Sequence, residues 1–189
     1  MPILYMIRHG EAASGWDADM DPGLSEKGRA QAQAVAREIE KRAGRKLPLI
    51  SSPLRRCRET GEPLARLWAA TPRIEPRIGE IPSPVEDLKA RGEWLRAFMS
   101  GTWEQGLLTQ GPLDLAKWRT DVAAALLELA EDTVIFSHFV ALNAAAGIAT
   151  NDERVISFRP DNCSVTIFET NGKTLTLKER GHEAETKVN

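Results

Sequence analysis

The chain has 189 residues, 42% of them hydrophobic and 28% charged, a balance that is typical of one globular domain and excludes a disordered or low-complexity protein. The formal net charge is −2, from 25 basic and 27 acidic residues, and provides no overall positive field for nucleic acid or an anionic membrane. We therefore expect neither nucleic acid nor a membrane as a partner, and nothing in the pattern requires an oligomer.

The sequence also favours a cytoplasmic protein. Its first residues, Met1-Pro2-Ile3-Leu4, lack the pattern of a signal peptide, and the longest apolar-rich stretch, residues 134–149, is too short to span a bilayer. The two cysteines, Cys57 and Cys163, suit a reducing compartment and are expected to be ordinary thiols.

The first strand and helix are clear in the pattern. Residues 3–7 form an apolar run without helical periodicity, which predicts a buried strand that ends at the polar Arg8-His9-Gly10. A helix is expected to follow, with Ser25 as its N-cap and Gly44 at its end.

A second strand and helix come next. Residues 47–50 predict a buried strand, and Ser51-Ser52-Pro53 is expected to supply the cap and first-turn proline of a helix that carries Arg56. Prolines then interrupt residues 71–111, which we interpret as an insertion over the core with a variable lid around 81–111.

The last third repeats the alternation. A helix from Pro112 is expected to lead into a strand over 133–136 that ends at Ser137-His138, followed by a helix of small residues. Two β-branched runs around Asn171-Gly172 predict a hairpin. This order favours an α/β fold, a three-layer α/β/α sandwich with a mostly parallel sheet, in a single domain over residues 1–189.

Polar residues follow all three clear strand ends: Arg8-His9, Ser51-Ser52 leading to Arg56, and Ser137-His138. Ligands of such sheets bind outside the carboxyl ends of the strands. Two arginines and two histidines at one crevice predict a preorganised site for a phosphoryl group. A neutral imidazole can attack phosphorus while fixed cations stabilise the equatorial oxygens, so we expect neither a metal nor a cofactor.

These motifs, in this order, resemble the histidine phosphatase superfamily, the phosphoglycerate-mutase-like group. They are Arg8-His9-Gly10-Glu11, Ser51-Ser52-Pro53-Leu54-Arg55-Arg56 and Ser137-His138. Gly28-x-x-Gln31-Ala32 and Asn162-Cys163-Ser164 also resemble the family pattern. The resemblance implies a phosphoglycerate-mutase-like fold over most of the chain.

The resemblance also implies the roles of the site residues. His9 is the expected nucleophile, and Arg8, Arg56 and His138 are expected to bind the transferring phosphoryl group. Glu80, in Ile78-Gly79-Glu80-Ile81, is the expected acid that protonates the leaving oxygen.

Four further side chains carry open questions. Glu86 and Asp87 are the alternatives for the leaving-group acid, and Glu11 either supports the histidine or caps the turn. Phe139 stands where the family usually has glycine, so we expect its ring to narrow the pocket or reshape its mouth.

The departures from the family pattern favour a phosphatase. Ala12, Ser14 and Gly15 stand where the mutases have serine, tryptophan and asparagine, so those substrate contacts are missing. We expect hydrolysis of a small phosphorylated substrate, with a phosphoprotein as an alternative substrate. A phosphoglycerate-type phosphomutase and a noncatalytic phospholigand-binding protein on the same fold are the alternative functions.

A metal hydrolase is the remaining alternative. It would use His9, Glu11 and His138 as ligands, but Arg8 and Arg56 would repel a cation.

Overall fold

The computed structural model describes residues 1–15, 18–108 and 111–184. The strands and helices of these residues, in chain order, are β1 (Ile3–Arg8), α1 (Glu26–Ala43), β2 (Leu49–Ser51), α2 (Arg55–Trp68), β3 (Arg73–Ile74), a 3-10 helix (Pro76–Ile78), α3 (Leu88–Met99), α4 (Trp103–Leu107), α5 (Leu115–Leu127), β4 (Thr133–Ser137), α6 (Phe139–Thr150), β5 (Val165–Thr170) and β6 (Leu175–Glu179).

The strands form one six-stranded sheet in the order β3-β2-β4-β1-β5-β6. The first four strands of that order are parallel, whereas β5 runs antiparallel to both β1 and β6. The expected α/β fold with a mostly parallel sheet is therefore confirmed. The β5–β6 hairpin is also confirmed, and Gly172 in its turn has a φ of +82°, which favours glycine.

Helices cover both faces of the sheet, because side chains of a strand alternate between its faces. Val134 and Phe136 of β4 pack against α1 and α2 on one face. Ile135, between them, belongs to the cluster with α3, α5 and α6 on the other face. None of the helices in the described part of the chain has both the length and the hydropathy needed to cross a membrane.

The carboxyl ends of the three central parallel strands lie side by side. Arg8 pairs with Ser137, and Ser51 pairs with Phe136. Pairing continues beyond the strands, since the His9 amide donates to the Ser137 carbonyl oxygen at 2.9 Å and the Ser52 amide to the Phe136 carbonyl oxygen at 3.0 Å. The residues that follow all three strands are thereby held at one edge.

Two helix starts differ from the sequence expectations. The helix expected from Pro53 begins at Arg55. Its N-cap residue is Leu54, whose side chain makes no capping hydrogen bond. The helix expected from Pro112 begins at Leu115, because the Asp114 carboxylate accepts a hydrogen bond from the Lys117 amide and caps it there.

Aromatic packing anchors the segment that was interpreted as an insertion. Trp94 stacks on Phe98, Phe98 meets Trp103 edge to face, and Trp103 stacks on Trp118 of α5, with centroid distances of 5.2, 5.5 and 6.0 Å. These contacts hold α3 and α4 against the rest of the fold and fix the position of Arg91 on α3.

Candidate active site

His9 follows β1 and is buried. Its Nδ1 lies 2.8 Å from the Gly10 carbonyl oxygen. Because a carbonyl can only accept, Nδ1 carries the proton and Nε2 carries the lone pair. Burial, together with the charges of Arg56 and Arg8, lowers the pKa of His9 well below its ordinary value, so the imidazole is neutral near pH 7.

The backbone that carries His9 is fixed by α1. The Glu11 amide donates to Gln31 Oε1 at 2.8 Å, and a Cβ atom at Gly28 would lie 2.1 Å from the Glu11 carbonyl oxygen. Only a glycine at position 28 allows this approach. Thr60 of α2 completes the support, since its hydroxyl accepts from the Gly10 amide at 3.0 Å.

Arg56 lies at the centre of the site, on the first turn of α2, with a side chain that is 3% exposed. Its Nε donates to His9 Nε2 at 3.2 Å, and its Nη2 donates to His138 Nδ1 at 3.1 Å. Its Nη2 is also 3.6 Å from Glu80 Oε2. One guanidinium therefore connects three of the other expected site residues.

His138 is the N-cap residue of α6 and makes no cap hydrogen bond, so its imidazole is available to the site. Since Nδ1 accepts from Arg56, the proton of the neutral ring is on Nε2, which donates to Ser52 Oγ at 2.7 Å. Burial and the charge of Arg56 lower the pKa of His138 well below its ordinary value. Ser52 thus orients His138 and does not cap α2 as expected.

The two cysteines are buried, as expected of unreactive thiols. Cys57 Sγ lies 3.3 Å from His138 Nε2, and burial raises the pKa of this thiol far above its ordinary value. Burial likewise raises the pKa of Cys163 to about 12.

Of the three carboxylates considered for the leaving-group acid, Glu80 is the one that lies at the site, and its side chain is 3% exposed. Its Oε2 is 3.6 Å from His138 Nδ1 and has no hydrogen-bond partner among the described residues. Burial raises its pKa above the ordinary value, although Arg56 opposes this shift. Glu86 and Asp87 are exposed, and the Asp87 carboxylate caps α3 by accepting from the Ala90 amide at 2.8 Å.

Arg8 is the second cation of the site. Its Nη1 donates to the Pro160 carbonyl oxygen at 3.0 Å, and burial lowers its pKa to about 10. The Phe139 ring lies 5.0 Å from the Arg8 Cζ atom and is only 1% exposed. The expectation that Phe139 narrows the pocket is wrong, because the first turn of α6 places this ring in the core and against Arg8.

Glu11 lies at the rim. One of its oxygens accepts from Ser25 Oγ at 2.8 Å and the other is 3.1 Å from Lys27 Nζ, and these contacts lower its pKa. Its described side-chain contacts thus go to the start of α1 and not to the imidazole of His9, which agrees with a role in the turn. The structure therefore does not bring His9, Glu11 and His138 together as the three possible metal ligands named from the sequence.

A different trio could hold a metal ion. One ligand atom each of His9, Glu80 and His138 lies within 4.8 Å of the others. The Arg56 guanidinium, however, contacts all three of these residues and opposes the binding of a cation among them.

A cavity of about 400 Å³ opens onto this site. Arg8, His9 and Arg56 line its inner end, whereas His138 and Glu80 lie behind Arg56. The other lining residues are Glu11, Ala12, Ala13, Ser14, Gly15, Asp19, Met20, Pro22, Lys27, Arg91, Asp161 and Asn162.

Sequence reasoning assigned no role to several of these lining residues. Asn162 Nδ2 donates to the His9 carbonyl oxygen at 3.0 Å, and only the likeness of its segment to the family pattern pointed to it. Lys27, Arg91 and Asp161 reach the cavity from other elements and carry no local signal of a site.

Comparison with known proteins assigns the family. The model of the histidine phosphatase superfamily (branch 1) matches residues 4–182. The chain belongs to this superfamily. A probable phosphoglycerate mutase, GpmB of Escherichia fergusonii, is 28% identical over an alignment of 184 residues that covers 86% of this chain and 82% of the relative.

Solved structures share the fold. A phosphoserine phosphatase from Entamoeba histolytica, crystallised with 3-phosphoglyceric acid, has a TM-score of 0.75 at 22% identity and covers 96% of this chain and 98% of its own. A mycobacterial glucosyl-3-phosphoglycerate phosphatase, in complex with VO3, has a TM-score of 0.62 at 22% identity and covers 94% and 98%. These structures show the shared fold, and membership of the superfamily supports a phosphatase or a phosphomutase.

Proposed function

We propose that this protein is a metal-independent phosphatase that hydrolyses a small phosphomonoester through a phosphohistidine on His9. The observation that carries the proposal is the neutral His9 ring, whose Nε2 lone pair meets the guanidinium of Arg56 at the inner end of the cavity. A nucleophile and a cation for the phosphoryl oxygens are therefore adjacent before any substrate binds.

The reaction follows from these positions in two steps. In the first, His9 Nε2 attacks phosphorus and the bond from phosphorus to the ester oxygen breaks. Protonated Glu80, which reaches the substrate only after the Arg56 guanidinium turns to the phosphoryl group, gives its proton to that oxygen. In the second, the Glu80 carboxylate takes a proton from water, whose oxygen attacks phosphorus and displaces His9. Phosphate leaves, and both His9 and Glu80 regain their starting protonation states.

Arg56 has to exchange partners when substrate binds. Its Nε and Nη2 donate to the two imidazoles in the described structure. Phosphoryl oxygens are stronger acceptors for a guanidinium, and accepting these N–H groups frees the His9 lone pair for attack. His138 then donates to a phosphoryl oxygen from Nδ1, which requires the other tautomer, in which the Ser52 hydroxyl donates to Nε2.

The outer cavity supports a phosphatase over a mutase. Ala12, Ser14 and Gly15 line it at the positions where mutases carry the larger substrate contacts. Small side chains leave space for water beside a phosphohistidine and provide few contacts that would hold a dephosphorylated product for return transfer. The volume of about 400 Å³ suits a small phosphorylated molecule better than a folded phosphoprotein.

The test is hydrolysis of p-nitrophenyl phosphate in excess EDTA by the wild type, His9→Ala and His182→Ala. His182 is exposed and serves as the matched control. We expect metal-independent turnover and an alkali-stable, acid-labile phosphoryl adduct in the wild type and in His182→Ala, and neither in His9→Ala.

Other results would select the alternatives. Loss of wild-type activity in EDTA and its return with a divalent metal would favour the trio of His9, Glu80 and His138 as a metal site. Phosphate binding without turnover of any phosphomonoester would favour a noncatalytic binder. Transfer of the phosphoryl group to an added hydroxy acid in preference to water would favour a mutase.

A further inference from the structure

The guanidinium of Arg8 is a buried cation with few polar partners. The residue is 7% exposed and forms no close ion pair with a carboxylate of the described residues, although the more distant charges of Glu80 and Asp161 favour its charged form. The Pro160 carbonyl accepts from Nη1, whereas Nε has no hydrogen-bond partner in the part of the chain that the structure describes. A buried charge in this situation needs a stabilising contact from elsewhere.

The ring of Phe139 provides such a contact. Its centroid is 5.0 Å from Arg8 Cζ, within the range of a cation–π interaction, and at 1% exposure the contact is screened from water. The ring is held rigidly, because Phe139 is the first residue of α6 and belongs to the main apolar cluster.

The chemistry of the contact suits a residue that must bind phosphate. A carboxylate beside Arg8 would neutralise its charge and occupy the N–H groups that phosphoryl oxygens need. An aromatic ring attracts the cation through its π electrons without accepting a full hydrogen bond from each N–H. Arg8 lines the cavity and keeps its charge there, although its Nε is itself buried.

We propose that Phe139 is a positioning residue for Arg8, which it holds charged and without a hydrogen-bonded carboxylate among the described residues, at the phosphate-binding end of the cavity. The proposal rests on the function proposed above. It also gives a reason for the departure from the family pattern: a glycine at position 139 would leave the Arg8 guanidinium without this ring.

The experiment measures the affinity for inorganic phosphate by titration calorimetry, together with kcat/KM for p-nitrophenyl phosphate. Phe139→Leu removes the ring and keeps most of the apolar volume. Phe168→Leu is the matched control, since Phe168 is also fully buried but has no described cation over its ring. A second series replaces Phe139 by phenylalanine with one, two or three ring fluorines, which weaken the π electrons with little change in shape.

We expect Phe139→Leu to bind phosphate about tenfold more weakly than the wild type and to lose about as much in kcat/KM. Phe168→Leu should lose thermal stability but keep its phosphate affinity within about twofold. The affinity of the fluorinated proteins should fall stepwise with each fluorine, an order that a purely structural role would not produce.

The outcomes separate this inference from the proposed function. A wild type that binds and hydrolyses phosphomonoesters, with unchanged affinity across the Phe139 series, would overturn the role of Phe139 and leave the phosphatase standing. A wild type that binds no phosphate would overturn both. If Phe139→Leu does not fold, the fluorinated series, measured on folded protein, decides the question.

Discussion

Replacing Arg56 by lysine keeps the positive charge and removes the planar fork. In the structure Nε and Nη2 reach two different imidazoles, His9 at 3.2 Å and His138 at 3.1 Å, so two separated N–H groups are aimed at the place where the phosphoryl group would bind. A lysine ammonium is a single point on a flexible chain and can replace only one of these donors.

The expected loss follows from the one donor that lysine cannot replace. A hydrogen bond to a charged group contributes about 1.5–3 kcal/mol, and 1.36 kcal/mol corresponds to tenfold. We therefore expect kcat/KM of Arg56→Lys for p-nitrophenyl phosphate in excess EDTA to fall by about 10- to 150-fold, with unchanged thermal stability or a small loss.

Arg58→Lys is the matched control, because Arg58 is on the same helix and exposed to solvent. Its kcat/KM should equal that of the wild type. Full activity of Arg56→Lys would refute the assignment of Arg56 as a fork for the phosphoryl group. An equal loss in both variants would show that the effect arises from α2 as a whole and not from the site.

Two further changes test other parts of the site. Glu80→Gln should lower kcat/KM and remove the alkaline limb of its pH profile: burial raises the pKa of Glu80, so the wild type keeps its acid at mildly acidic pH and loses it as the pH rises. Substrate ionisation affects both proteins equally, and an unchanged alkaline limb would assign the acid elsewhere. Gly28→Ala should lower the free energy of unfolding by about 1–3 kcal/mol in urea titration, because the added Cβ would lie 2.1 Å from the Glu11 carbonyl oxygen. Alanine normally stabilises a helix interior relative to glycine, so a gain in stability would contradict the close approach.

The parts of the site that follow strand ends could be predicted from the sequence. Each central strand is an apolar run, and the polar residues after it lie at one edge because the strands are parallel. This rule is sufficient to predict that His9 and His138 lie at the site. Arg56 is predicted there from its position on the first turn of α2. Arg56 donates one hydrogen bond to each of the two histidines and so connects all three residues.

Glu80 could be located from its flanking residues only through the family resemblance. The structure supplies the physical reason for its position: Ser137 Oγ, at the end of β4, donates to the Ile78 carbonyl oxygen at 2.7 Å. This contact joins residues 59 positions apart and fixes the segment that follows the 3-10 helix beside His138. No local pattern carries that information.

The expected helix-capping role of Ser52 and the expected position of the Phe139 ring in the pocket were wrong for a common reason. Both came from local sequence rules, whereas the pairing of the strands determines where these residues lie. Serine before proline favours a helix cap, but the Ser52 amide extends the pairing with β4, and this pairing turns its hydroxyl toward His138. A bulky residue after His138 suggests a narrowed cavity. His138 is the extended residue before α6 and its imidazole contacts Arg56, whereas Phe139 begins the helix and its ring lies in the core.

The charges of the site, taken together, favour a doubly charged ligand. Arg8 and Arg56 are buried cations, whereas the two imidazoles are held neutral and burial favours the protonated form of Glu80. Two buried positive charges without full compensation are costly, and one dianionic phosphoryl group would pair with both. A singly charged anion would compensate these charges less fully, even with the Asp21 carboxylate 4.0 Å from Arg56 Nη1. Under the proposed function, this burial favours a phosphomonoester dianion, whose oxygens would replace His9 Nε2 as the acceptor of the Arg56 Nε–H group.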